Sequence, residues 1–419
     1  MLALIDRRVL RNVAALVILQ GGNYLLPLIL IPYLVRALGM TAFGDWVFAT
    51  SFVIIARTVV SYGFDLTATR SVAVRQQDRP YVGRLVVSVG IIRLALLLVC
   101  CLSVVVLSMM FQPIEDVLIL ALLSMLVLVG EAIFPVWLFQ GMEEMSSITK
   151  VRLSHKLAFV MLVVLLVKSA QDVLLVPVIE ATTSLAAGVA ATWIACGKFR
   201  LAIALPELDA ILSELRQGFS VCVSQLAIHF YTTINIVLLG FLLGPIAVGQ
   251  YAIAEKVYSA VRGMLGPVVQ ALFPVMSKSY AADASRFGPA VRSITGAFVI
   301  GLVALSVLMV ATAEPVVELI AGRADVESTA ALRVLAVSLC FAFGTFLSPL
   351  LIVQERRGTF ARITMLTMVT NLVVVAPLIG LLGVVGAAVA FLLVQALHSA
   401  LLVRANWSYL GGRTLPLRQ

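Results

Sequence analysis

Charged side chains are scarce in this 419-residue sequence: 12% of its residues are Asp, Glu, Lys or Arg, about half the share found in a soluble globular chain. Histidine occurs 3 times and cysteine 5 times. The cysteines (Cys100, Cys101, Cys196, Cys222 and Cys340) lie in or beside apolar runs without CxxC or Cys/His ligand spacing. That argues against a zinc module or disulfide framework and reads as buried reduced thiols. No GxxxxGKS/T loop is present, which removes an ATP site of that kind, and HExxH, DxD and GxSxG are absent too. No polar stretch is long enough for a separate soluble domain, and the segments between apolar runs are too short to house a catalytic centre. These absences weigh against an enzyme.

What the chain has is hydrocarbon: 62% of its residues are hydrophobic and its mean hydropathy is +1.09. Apolar runs of membrane-crossing length predict twelve helices, near residues 12–35, 44–67, 84–110, 116–140, 147–168, 172–196, 216–243, 247–275, 289–313, 328–353, 359–380 and 382–404. The fold class expected is all-α and integral to the membrane. The first run follows Arg7, Arg8 and Arg11 and exceeds a signal-peptide core in length, so it reads as a retained span.

The net charge of +9 does not indicate nucleic acid, because the basic residues fall in short clusters between apolar runs. With the N-terminus inside, 22 of the 30 basic residues fall in cytoplasmic segments and only Arg36, Lys168, Arg323 and Arg333 outside. This is the positive-inside pattern. It places both termini in the cytoplasm.

An internal repeat organises the chain. Arg11, Gln20, Leu38, Gly39, Gly44, Ala49 and Arg57 recur, without a gap, as Arg216, Gln225, Leu243, Gly244, Gly249, Ala254 and Arg262. Later, Pro135 and Gln140 recur as Pro349 and Gln354. An even number of spans per half gives both halves one orientation, a parallel repeat about the membrane normal with a site expected between them. The domains expected are a six-helix bundle over 1–196, a cytoplasmic linker over 197–215 and a second six-helix bundle over 216–419.

Charges within spans mark candidate sites, since each is costly to insert unless it faces protein or a watery cavity. Tyr251, Glu255, Tyr258 and Arg262 share one face of the eighth span, while Thr50, Arg57, Ser61 and Asp65 form a similar stripe on the second. Arg57 and Arg262 are repeat mates, and Arg93 of the third span is a third candidate. Guanidinium groups suit a diphosphate, whose oxygens they engage through paired donors. The plainer reading is neutralisation: Arg57 by Asp65 or Glu131, and Arg262 by Glu255, with Arg93 snorkelling to the cytoplasmic surface. Gln20 and Asn23, with Gln225 and Asn235, either line a cavity or glue helices together. Asp65, Glu180, Glu255 and His229 are the candidates for coupling transport to H+ or Na+. No cofactor is expected.

Several stretches resemble one known family. Asn23-Tyr24-Leu25-Leu26-Pro27 through Pro32-Tyr33-Leu34-Val35-Arg36-Ala37-Leu38-Gly39 is similar to the opening of bacterial O-antigen and polysaccharide repeat-unit flippases. Tyr62–Arg70, Phe134–Glu143, Gly249–Lys256 and Ala271–Pro274 resemble later parts of the same proteins. They belong to a superfamily with multidrug antiporters and lipid II flippases. The resemblance implies two six-helix bundles around a central cavity in the bacterial inner membrane. It implies as cargo an undecaprenyl-diphosphate-linked oligosaccharide, moved from the cytoplasmic to the periplasmic leaflet among membrane lipids and other polysaccharide-assembly proteins. It also implies that Arg57 and Arg262 hold the diphosphate. Lipid II flippases carry cavity arginines on the first helix, where this chain offers Gln20 and Asn23. The rival reading is a cation-coupled multidrug antiporter of the same fold.

Overall fold

A computed structural model describes residues 7–202, 204–266, 284–354 and 356–407; side chains at 7–25, 227–232 and a few other positions are outside that description. Gln20, Asn23 and His229 fall among them. The described residues are all-helical, with 89% of them in helices.

Among the described residues, six helical stretches are long and apolar enough to cross a membrane: Leu26–Val74, Arg79–Ser108, Leu118–Gly141, Ala170–Phe199, Val291–Ala311 and Gly358–Ala405. A seventh arises if Val326–Phe341 and Gly344–Leu351, bent by 40°, are taken as one. Two units divide the chain, Met1–Thr233 and Ile234–Gln419.

In the first unit, α1 (Arg7–Ser61) is two helices joined at Gly39, whose φ of 76° and ψ of 168° lie outside the helical region. Its repeat mate Gly244, with φ 81° and ψ −173°, caps the start of α11 (Pro245–Gly263). The two matched glycines thus hold the same backbone conformation, one that side chains with a Cβ disfavour. α1 ends at a corner, Tyr62–Gly63, before α2 (Phe64–Val74), so the second expected span is broken near its end. α3 (Arg79–Ser108) starts on an Asp78 cap whose side chain accepts from the Tyr81 N–H.

The fourth expected span, 116–140, is not one helix. After a single turn, α4 (Gln112–Glu115), it is divided into α5 (Leu118–Met125), α6 (Val127–Ile133) and α7 (Val136–Gly141). Pro135 explains the last break: the residue before a proline is driven from helical geometry, and Phe134 has ψ 107°. α8 (Met145–Leu166) and α9 (Leu175–Phe199) follow, joined by a 3-10 turn over Ala170–Leu174. Bare backbone lets α6 and α9 approach closely. A Cβ on Gly130 would lie 2.3 Å from the Ser184 backbone, and one on Gly188 would lie 2.4 Å from the Gly130 carbonyl. Ser184 Oγ donates to the Val127 carbonyl at 2.9 Å and Thr192 Oγ1 to that of Ile133 at 2.8 Å. Small residues and hydroxyls joining helices are the usual glue where lipid offers no hydrophobic drive.

The linker expected over 197–215 is partly helical: α9 runs to Phe199 and α10 (Leu208–Leu243) begins early. Ile211 and Leu215, four residues apart on one face, pack on the core around Phe64, Trp137 and Phe199, and that burial extends the helix. The unit boundary lies within α10.

The second unit holds α11, α12 (Ala284–Ala311), α13 (Ala313–Ala321), α14 (Val326–Ser338), α15 (Gly344–Val353) and α16 (Arg357–Ala405). α16 is again two helices, meeting at Gly383. Residues 378 and 386 would be about 12 Å apart in a straight helix, yet a Cβ on Gly386 would meet the Leu378 carbonyl at 1.9 Å. The run therefore doubles back, where the sequence predicts a break at Gly380–Gly383. Its interior is joined by neutral polar groups: Asn371 donates to Asn235 at 3.3 Å, Asn235 to the Ala387 carbonyl at 3.4 Å, and Gln395 to that of Phe341 at 3.2 Å.

Candidate functional site

The first unit encloses a cavity of about 490 Å³ lined by charged side chains from six helices. α1 contributes Arg57 and Ser61, α2 Asp65, α3 Arg93, α6 Glu131, α8 Arg152, His155 and Lys156, and α9 Glu180. The Tyr62–Gly63 corner matters here. It ends α1 just after Arg57 and starts α2 so that Asp65 falls in its first turn, where the helix dipole favours a carboxylate.

Two ion pairs span the cavity. Arg57 Nε donates to Glu131 Oε2 at 2.8 Å, with 44% and 38% of the two side chains open. Arg93 donates through one terminal nitrogen to Asp65 Oδ1 at 3.1 Å, and its side chain is only 5% open. Ser61 Oγ also donates to Asp65 at 3.2 Å. The guanidinium groups lie on aromatic faces, Arg93 at 5.9 Å from the Phe64 centroid and Arg152 at 5.5 Å from that of Phe134, arrangements that hold a cation without consuming its charge.

With His155 neutral, the four cations Arg57, Arg93, Arg152 and Lys156 exceed the three carboxylates Asp65, Glu131 and Glu180 by one charge. Two buried polar atoms of the lining, Arg93 Nε and His155 Nδ1, find no hydrogen-bond partner among the described residues. Native interiors rarely leave such groups unpaired without water or a ligand to meet them. The cavity can accept an anion with several oxygens and present both donors and acceptors to neutral polar groups beside it.

Of the residues singled out in the sequence, Arg57, Arg93, Asp65 and Glu180 come together here. Of the partners considered, Arg57 takes Glu131, and Arg93 takes Asp65 within the protein instead of reaching a surface. Tyr251, Glu255, Tyr258 and Arg262 all lie on α11 in the second unit. Tyr251 and Tyr258 are buried, the latter edge-on to Phe391 at 5.4 Å. Glu255 pairs with Lys256 at 3.2 Å and accepts from the Ser259 hydroxyl. Arg262 is half-buried in the last turn.

Arg152, His155 and Lys156 were not among the candidates. Basic residues there read as topology markers, although 152 and 156 are one helical turn apart with 155 beside them.

Residues 9–280 match a family described as polysaccharide biosynthesis protein. The chain is 31% identical over 254 residues to a proposed O-antigen transporter of Escherichia coli (strain K12), a match that covers 61% of each chain. It is 27% identical to one of Shigella dysenteriae, over 61% of this chain and 64% of that one. The match thus spans less than two thirds of the length of these relatives. In fold it is similar to a lipid II flippase, MurJ, in an inward closed conformation: TM-score 0.74, 12% identity, 94% of this chain and 86% of that one. An inward-facing multidrug resistance MATE family transporter follows with TM-score 0.61 and 16% identity, over 99% and 98% of the two chains. At those identities the likeness is one of fold.

Proposed function

The chain belongs to the polysaccharide biosynthesis protein family, and from that premise we propose that it is a flippase for a lipid-linked oligosaccharide. The cargo is an O-antigen or exopolysaccharide repeat unit on undecaprenyl diphosphate, carried from the cytoplasmic to the periplasmic leaflet of a bacterial inner membrane by alternating access. The observation that carries this reading is the cavity of the first unit, with its four cations and one net positive charge. A diphosphate diester has two negative charges and several acceptor oxygens, which suit guanidinium forks. Arg57 is the primary ligand, with Arg93 behind it. Arg262, Tyr251 and Tyr258 of α11, with Gln20 and Asn23, are further proposed cargo-binding residues. Asp65, Glu180, Glu255 and His229 are the groups through which H+ or Na+ would couple.

The twelve-span topology with cytoplasmic termini belongs to the same proposal. It is supported by the helical joints at Gly39 and Gly383, at which each long run is two helices. Counting these, the bent pair and the more polar α8, α10 and α11 gives six passes on each side of the linker.

The test is leaflet location in cells lacking the gene. A membrane-impermeant reagent should find the oligosaccharide shielded from the periplasm until the gene is restored, and Arg57→Ala should restore less than a tenth of wild-type exposure at equal protein level. Sugar that reaches the periplasm in the deletion strain would end the flippase reading. It would promote the antiporter alternative, which the three cavity carboxylates favour.

A further inference from the structure

The two ion pairs of the cavity are unequal. Arg93 is packed away with its carboxylate, whereas both members of the Arg57–Glu131 pair stand open to the space that cargo would fill. The backbone that carries Glu131 has little freedom to move. Its neighbour Gly130 is locked against the Ser184 backbone and Gly188, so that even a methyl group would not fit between α6 and α9. The mobile partner is the long Arg57 side chain on α1.

From this asymmetry we propose that Glu131 is an internal stand-in for the cargo's phosphate. It occupies the Arg57 guanidinium while the cavity is empty, yields it when a diphosphate enters, and reclaims it as the cargo leaves. This rests on the diphosphate reading above. A cavity with four uncompensated cations would bind a diphosphate tightly enough to hinder release. A fixed carboxylate competing for one guanidinium keeps the exchange near balance, because Arg57 trades one charge-assisted hydrogen bond for another of the same kind. Arg152 and Lys156 stay beside Glu131 when Arg57 departs, which keeps the freed carboxylate among cations.

The experiment is calorimetric titration of the full-length protein in detergent with geranyl diphosphate, paired with leaflet assays in cells. Wild type should bind the probe, and Arg57→Ala should lose that binding. Glu131→Gln should bind it about tenfold more tightly, the equivalent of about 1.4 kcal/mol, while flipping oligosaccharide more slowly. A merely structural role for Glu131 would lower affinity and flipping together. Glu131→Asp keeps the charge but draws it back from Arg57 by one methylene, so it should tighten binding by a smaller factor; it also serves if the Gln variant folds poorly. The Arg57→Ala/Glu131→Gln double variant should show no gain over Arg57→Ala. Wild-type binding that depends on Arg57, with no tightening in either Glu131 variant, overturns this inference alone. Absence of probe binding by wild type removes the diphosphate reading and this inference with it.

Discussion

In the unit Met1–Thr233 the polar groups that line the cavity are mostly ions: Arg57, Arg93, Arg152 and Lys156 against Asp65, Glu131 and Glu180. In the unit Ile234–Gln419 every fully buried polar side chain among the described residues is neutral, and Asn235, Asn371, Gln395 and Ser399 bridge between helices. Both halves carry the same glycine joint and an arginine at matching positions, so the repeat has kept backbone geometry while the interiors diverged. Neutral amides bridge helices at low cost and without appeal to a ligand. An open cavity with buried charge is costlier to maintain, and on the proposed reading that cost is met by a ligand.

The contrast can be broken most severely at Asp65. Asp65→Asn leaves Arg93, 5% open, without its counter-ion. Stranding a buried charge costs several kcal/mol in a closed site, and the half-open setting of Asp65 reduces the expected loss to about 2 kcal/mol. Arg93→Met should cost less, since Asp65 retains water and Ser61. Thermal unfolding in detergent compares the two variants, and equal losses would refute the asymmetry.

A smaller effect is expected in the second unit. Asn371→Ala removes the donor to Asn235 and should cost about 1–2 kcal/mol, whereas replacing both amides by Leu should recover most of it. Thermal unfolding in detergent checks both changes, and a double-Leu variant no more stable than Asn371→Ala would contradict the low cost of these neutral bridges.

The smallest effect separates two carboxylates outside the spans. Glu214, buried at the start of α10, has its carboxyl pushed above the ordinary range by burial, with Arg75 opposing the shift. Asp325 is also disfavoured by burial, but the Ser328 N–H and the Gln250 amide hold it below the ordinary range. The signs are opposite. Glu214 contributes stability while protonated and loses it as pH rises from the unfolded pKa through the raised folded one. Asp325 contributes above its unfolded pKa of about 3.9 and loses it as pH falls through the depressed folded one. Glu214→Gln should therefore raise the unfolding temperature at pH 8 more than at pH 5, and Asp325→Asn should lower it at both. A pH-independent gain for Glu214→Gln would contradict the burial argument.

Much of this was legible in the sequence because membrane helices declare themselves by long apolar runs, and charges within them are rare enough to stand out. Arg57, Arg93, Asp65 and Glu180 were visible that way. Glu131 entered only as a neutraliser and Arg152 and Lys156 only as topology markers, because sequence does not say how deep a helix end sits. The breaks of the fourth span were hidden for a different reason. Hydropathy over Leu118–Gly141 is continuous, and only Pro135 announces one of the interruptions. The early start of α10 was hidden too, because Ile211 and Leu215 sit among polar residues and declare their burial only once a core is there to receive them.

Gly39 and Gly244 carry one further consequence. A Cβ at either would meet nothing within 4 Å, so no neighbour demands a small residue there. What the joint refuses is handedness. D-alanine placed at either position by semisynthesis would have the room and the backbone preference that L-alanine lacks, and should leave the joint intact where the L-residue strains it. Two halves whose interiors differ still share a point where the chain disfavours an L side chain.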